Sequence, residues 1–188
     1  DTINFLSSLR NSVVITVISV AIIILFGSMA AYTITRRKNK VTKVLFIYFL
    51  VGFMVPVQTT MIPLFKLMSS LNLTNSVGGM IVLYSSWCNF AMFMYQGFLG
   101  TVPRDLEDAA FIDGCGRVGS FFRLILPLSR PIILSVALIM FLSTWSQFQI
   151  PLILASSMET KPMAIVISEF VTKDSVQYGL VAAAGMLA

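Results

Sequence analysis

The chain has 188 residues, 57% of them hydrophobic and 11% charged, with a net charge of +5, a pI near 9.5 and a mean hydropathy of +0.89. A soluble domain carries about 25% charged residues, so this balance excludes an ordinary globular protein and points to an integral membrane protein. The basic residues cluster between apolar runs and not over one face, so they read as membrane topology signals and exclude a nucleic-acid partner.

The chain begins at Asp1 without a signal peptide and ends inside an apolar run at Ala188, and it is read as an internal piece of a longer protein. Residues 1–11 are polar. The run 13–35 is then apolar, and at about 1.5 Å per residue some 20 residues cross a hydrocarbon core of about 30 Å. Arg36, Arg37, Lys38, Lys40 and Lys43 follow without an intervening acid. They mark the cytoplasmic side and are expected to be a solvated anchor with no partner.

The second span is expected at 44–66. Pro56 and Pro63 should kink or unwind it, and Gln58, Thr59 and Thr60 lie between them. Residues 66–78 form an external turn. The third span, 79–99, carries Ser85, Ser86, Asn89 and Gln96. A polar island at 101–131 follows, with four of the chain's eight acidic and four of its thirteen basic residues. The fourth span is expected at 132–154, with Trp145, Gln147 and Gln149 near its far end. Residues 155–178 read as a second, external polar connection, and 179–188 as the opening of a further span. Basic excess alternates from loop to loop, so the first span runs outside to inside. Cys88 and Cys115 stand in different settings, which argues against a disulfide framework and a metal site.

The island should form a short helix, a stop and a second helix returning to the bilayer. Thr101 is a plausible N-cap and Pro103 suits a first turn. Asp105, Glu107 and Asp108 complement the helix dipole. Leu106, Ala109, Ala110 and Asp113 share one face, where two alanines leave the backbone open to close approach. Gly114 fits a left-handed stop, and Phe121, Phe122, Leu124 and Ile125 could lie on the membrane surface. The residues alone leave open whether this island contacts a partner or merely caps the bundle.

Asp108-Ala109-Ala110, Gly114, Leu124 and Leu126-Pro127 resemble, with spacing intact, the EAA signature of the inner-membrane permeases of bacterial ATP-binding-cassette importers. Asp108 stands where Glu is usual and Leu124 where Ile is usual. Asn11-Ser12, Ala30-Ala31-Tyr32, Ile62-Pro63-Leu64, Trp145-Ser146-Gln147-Phe148 and Pro151-Leu152 are similar to the smaller permease of maltose-type carbohydrate importers. That subfamily often has Asn and Glu where Ser146 and Gln147 stand. The resemblance implies an all-α polytopic bundle, the type I importer transmembrane domain, with six spans in the whole protein and multiple passes through the bacterial cytoplasmic membrane. It makes 101–131 the coupling-helix loop, with Glu107, Asp108, Ala109, Ala110 and Gly114 contacting an ATPase subunit.

It further implies two cytoplasmic ATPase subunits, a second and different permease, and an extracytoplasmic solute-binding protein, with a sugar or oligosaccharide as cargo. No phosphate-cradling Gly-x-x-x-x-Gly-Lys-Ser/Thr loop is present in the sequence, so no cofactor is expected on this chain, and ATP and Mg belong to the partners. No catalytic residue and no metal ligand is expected. Asn89, Gln96, Gln147 and Gln149 could hydrogen-bond solute hydroxyls in a pathway or bridge helices. An ion-coupled secondary transporter is the alternative, and an integral-membrane enzyme a further one. Both are disfavoured by the lack of ionisable groups at depth in the four runs.

Overall fold

The computed structural model describes residues 5–37 and 39–172; the expected span at 179–188 lies outside them. Every regular element in the described chain is helical. In order these are α1 (Phe5–Arg36), α2 (Lys40–Met54), α3 (Val57–Ser70), α4 (Val77–Ser85), α5 (Cys88–Leu99), α6 (Asp105–Ile112), α7 (Arg117–Ser120) running through a π turn (Phe121–Ile125) into α8 (Leu126–Leu128), α9 (Arg130–Trp145), α10 (Gln149–Leu154) and α11 (Met163–Thr172). Two stretches, Phe5–Arg36 and Val77–Leu99, are each long and apolar enough to cross a membrane; two bent pairs of helices would raise that to four.

Prolines decide where the long runs break. Val55 is extended (φ −77°, ψ 118°), as steric conflict with the next proline's ring demands, so the 44–66 run splits at Pro56 into α2 and α3. Pro63 does not split it and sits inside α3. The 132–154 run also departs from expectation. It stops at Trp145 and restarts at Gln149, because Pro151 has no N–H for the carbonyl one turn back and suits the first turn of a new helix.

The described chain forms two compact units. One contains residues 5–19, 57–84 and 141–172. Its α1 portion carries a buried polar stripe: Ser8, Asn11, Ser12, Thr16 and Ser19. Asn11, Ser12 and Ser19 of this stripe bond backbone atoms of other segments in the unit. The Asn11 amide donates to the Glu159 carbonyl (2.6 Å), and the Ser12 hydroxyl accepts from the Met163 N–H (2.8 Å). Residues 155–172 are therefore more than a polar connection. Met163, Ile165 and Val166 of α11 are each 1% exposed. Asn75, with φ +51°, accepts at Oδ1 from Ser156 N (3.0 Å), Ser157 N (2.8 Å) and Thr160 Oγ1 (2.7 Å). An asparagine suits that left-handed position, and its side chain closes the loop before α11.

The other unit contains Val20–Pro56 and Ser85–Met140. Its core is Val20, Ile23 and Ala31 of α1; Ala91, Met92, Tyr95 and Leu99 of α5; Phe121 and Ile125 of the π turn; and Val136 and Met140 of α9. α1 and α5 approach closely at Gly27, where an added Cβ would stand 2.5 Å from that of Ala91. Small residues at such a crossing let the backbones gain van der Waals contact, the main attraction between helices in lipid. Phe121 (4% exposed) and Ile125 (1%) are thus core residues, correcting their expected place on the membrane surface; Phe122 remains exposed. The α7–α8 segment meets α9 at a 75° bend next to Ser129, whose hydroxyl donates to the Ile125 carbonyl (2.7 Å).

Candidate functional site

The island's first helix, α6, starts at Asp105 and not at Thr101. Thr101 instead donates its hydroxyl to the Phe98 carbonyl (2.8 Å) and so closes the end of α5. Asp105, Glu107 and Asp108 occupy the first turn of α6, where the exposed N–H groups favour negative charge. Gly114 ends the helix at φ +82°, a left-handed conformation that residues with a Cβ rarely adopt. The Gly114 N–H reaches the Phe111 carbonyl (3.1 Å) and the Cys115 N–H the Ala110 carbonyl (2.9 Å). That pair of bonds is the Schellman closure, which satisfies the last carbonyls and turns the chain sharply.

The helix therefore has two different sides. Leu106, Ala109 and Asp113 are exposed, Ala110 is half-buried, Asp108 is exposed, and Ile112 stands 87% clear. Glu107 points the other way and is 5% exposed. Arg36 Nε lies 2.5 Å from Glu107 Oε1, and the Tyr32 hydroxyl donates to Oε2 at 2.9 Å. Arg36 Nη2 also donates to the Val102 carbonyl (3.2 Å), and the Tyr32 ring packs on Phe121 with centroids 5.4 Å apart. One carboxylate thus binds α6 to the last turn of α1, and the same cluster takes in the approach to α6 and the π turn. Burying two charges costs on the order of several kcal/mol per ion; the ion pair at Oε1 and the Tyr32 hydrogen bond at Oε2 offset part of it, with Arg36 Nε and Glu107 Oε1 close but not aligned as a hydrogen bond.

This arrangement corrects one expectation: Arg36 is not a solvated anchor without a partner. Glu107, which the resemblance counts among the ATPase contacts, turns its carboxylate toward α1. Arg36 and Tyr32 had a local signal, since they sit one helical turn apart at the end of the first apolar run. Nothing local pointed to Glu107 as their partner, 75 residues beyond Tyr32. Beside the pair lies a cavity of about 440 Å³ whose wall includes Arg37, Arg104 and Arg117 together with Met29, Phe111 and Phe122.

The candidate pathway residues are more scattered. Asn89 and Gln96 lie on α5. The Asn89 side chain accepts from the Phe90 N–H (2.8 Å), and Gln96 faces a cavity of about 730 Å³ shared with Asn39, Thr42 and Lys43. In the other unit Gln147 is half-buried in the break before α10. Gln149 is exposed and accepts from the Gln58 amide (3.1 Å), a partner not foreseen for it.

Long apolar helices and a polar helix–stop–helix insert define a helical membrane protein that presents a short surface helix between spans. The family described as "Binding-protein-dependent transport system inner membrane component" matches residues 23–188, and the chain belongs to that family. It is 28% identical over 184 residues to the melibiose/raffinose/stachyose import permease protein MelC of Bacillus subtilis, covering 97% of this chain and 67% of that one. It is 36% identical over 160 residues to the multiple sugar-binding transport system permease protein MsmG of Streptococcus mutans, covering 81% and 57%. The fold matches that in the crystal structure of a bacterial ABC transporter involved in the import of the acidic polysaccharide alginate. There the TM-score is 0.84 at 20% identity, over 97% of this chain and 64% of the other. The chain spans about two thirds or less of the length of these relatives.

Proposed function

We propose that this chain is a permease subunit of an ATP-binding-cassette importer that moves a sugar or oligosaccharide across the bacterial cytoplasmic membrane. Two cytoplasmic ATPase subunits supply ATP and Mg chemistry. A second, different permease completes the pathway, and an extracytoplasmic binding protein delivers the solute. Alternating access is driven by ATPase closure, transmitted through the island 101–131. The cargo class rests on what the relatives' names say they import.

The observation that carries this reading is the exposed small-residue face of α6. A short surface helix with Ala109 exposed and Ala110 half-buried beside it, ended by a glycine turn, suits insertion into a protein groove. Asp108, Ala109 and Ala110 make the contact, and Gly114 sets the angle at which the helix is presented. Glu107 contributes from behind.

The test is co-expression of the full-length protein with the ATPase subunits of its own genome, followed by detergent co-purification and uptake in vesicles. The wild type retains an ATPase subunit and takes up sugar with ATP after ion gradients are collapsed. Asp108→Lys and Gly114→Val lose the subunit. Gradient-dependent, ATP-independent uptake would overturn the proposal in favour of a secondary transporter.

A further inference from the structure

We infer that Tyr32, Arg36 and Glu107 form a joint that makes α6 and the last turns of α1 move as one piece. On this inference, which rests on α6 being the ATPase contact, a push on the coupling helix is delivered first into the span α1. Glu107 and Arg36 are then positioning residues that act through α6 and touch neither solute nor nucleotide.

The argument is geometric. α6 has eight residues, too few to hold its own orientation in water. Its outward face is exposed, so whatever fixes its direction must lie behind it or at its ends. Behind it, one side chain, Glu107, reaches α1 with both oxygens. Arg36 is in turn held by the Val102 carbonyl on the approach to α6, and Tyr32 is held by ring contact with Phe121 beyond it. The contacts therefore bracket α6 on three sides and converge on one turn of α1. The pair is largely shielded from water, with side chains 13% and 6% exposed, so solvent does not weaken it as it weakens a surface pair. A buried pair also resists partial opening, since each charge leaving the other would remain desolvated. A rigid, two-sided link of this kind is what a helix needs if it is to transmit displacement and not bend away from it.

The experiment uses the assembled transporter in lipid and compares wild type with Glu107→Gln, Arg36→Gln and the double variant. Solute taken up per ATP hydrolysed is measured alongside retention of the ATPase subunit. Each single variant is expected to retain the subunit and lose about tenfold in uptake per ATP, within the usual range for coupling between sites. The double variant should lose no more than either single one, because the two residues act together. Normal uptake per ATP in the single variants, or losses that multiply in the double, would overturn the joint. Loss of the ATPase subunit from Glu107→Gln alone would also overturn it, by making Glu107 a docking residue.

A second measurement covers variants that assemble poorly and the case in which no ATPase is retained. Spin labels at Thr33→Cys and Ile112→Cys, in a Cys88→Ala, Cys115→Ser background, report the distance from the end of α1 to α6 in the full-length protein. A single narrow distance that broadens on adding Glu107→Gln supports the joint. An unchanged distribution overturns it, whatever becomes of the importer reading.

Discussion

The two long polar links in this chain, 101–131 and 155–172, look alike in the sequence and are built on opposite plans. The second is held by neutral groups. Asn75 gathers the loop through one amide oxygen, Asn11 and Ser12 serve backbone atoms, and Met163, Ile165 and Val166 are buried. Such a link buries apolar side chains of its own helix, while Met158 in its loop stays 38% exposed. The first leaves apolar and small residues outside, with Ile112 at 87% and Leu106 at 44% exposure, and buries a charge. A link that hides a carboxylate while leaving an isoleucine uncovered has the kind of surface that the proposed ATPase contact requires.

That contrast can be broken most severely at Glu107. Replacing it by Ala leaves Arg36 buried without its counter-ion, and stability should fall by about 3–5 kcal/mol in denaturant titration in detergent. A drop below about 1 kcal/mol would mean that the pair is a surface ornament. Next, Asn75→Ala should cost about 2 kcal/mol, from lost hydrogen bonds and a left-handed backbone without its side-chain compensation. Asn75→Asp keeps an acceptor at the same place and should recover most of that loss; equal losses would show that acceptance at Oδ1 is not what holds the loop. Tyr32→Phe removes one bond to a charged oxygen and leaves the ion pair, so about 1.5 kcal/mol is expected by the same titration. Smallest is Gly114→Ala, at about 1 kcal/mol, because its cost is backbone conformation alone: a Cβ there meets nothing within 4 Å. Thermal melting should therefore shift by only about 2–4 °C in Gly114→Ala, while, on the proposed ATPase contact, retention of the ATPase subunit falls.

The elements that were legible in the sequence rest on local chemistry. A glycine placed after an amphipathic turn announces a left-handed stop, and Gly114 is one. Long apolar runs announce long helices, as in α1. What could not be read is non-local or depends on a balance between neighbours. Arg36 stands one helical turn from Tyr32, but nothing near it in sequence reveals the carboxylate that reaches it. The apolar stretch of α11 is short and sits among Glu159, Lys161 and Glu169, so polarity masked a helix that tertiary burial stabilises. Phe121 and Ile125 sit in a π turn that has no sequence signature of its own, so an amphipathic reading of the segment does not place them in the core.

The distance along the chain between the members of the buried pair has a consequence for biosynthesis. When Arg36 leaves the ribosome, Glu107 does not yet exist, so for that interval the guanidinium is an unneutralised positive charge beside Arg37 and Lys38. On the topology expected from the loop charges, it helps in that state to retain the end of α1 on the side where synthesis occurs. Only after α2 to α5 have been made does the carboxylate arrive and withdraw the charge from water. One cation is thus used twice in order, first as an address label for a nascent segment and then as a fastener in the completed subunit.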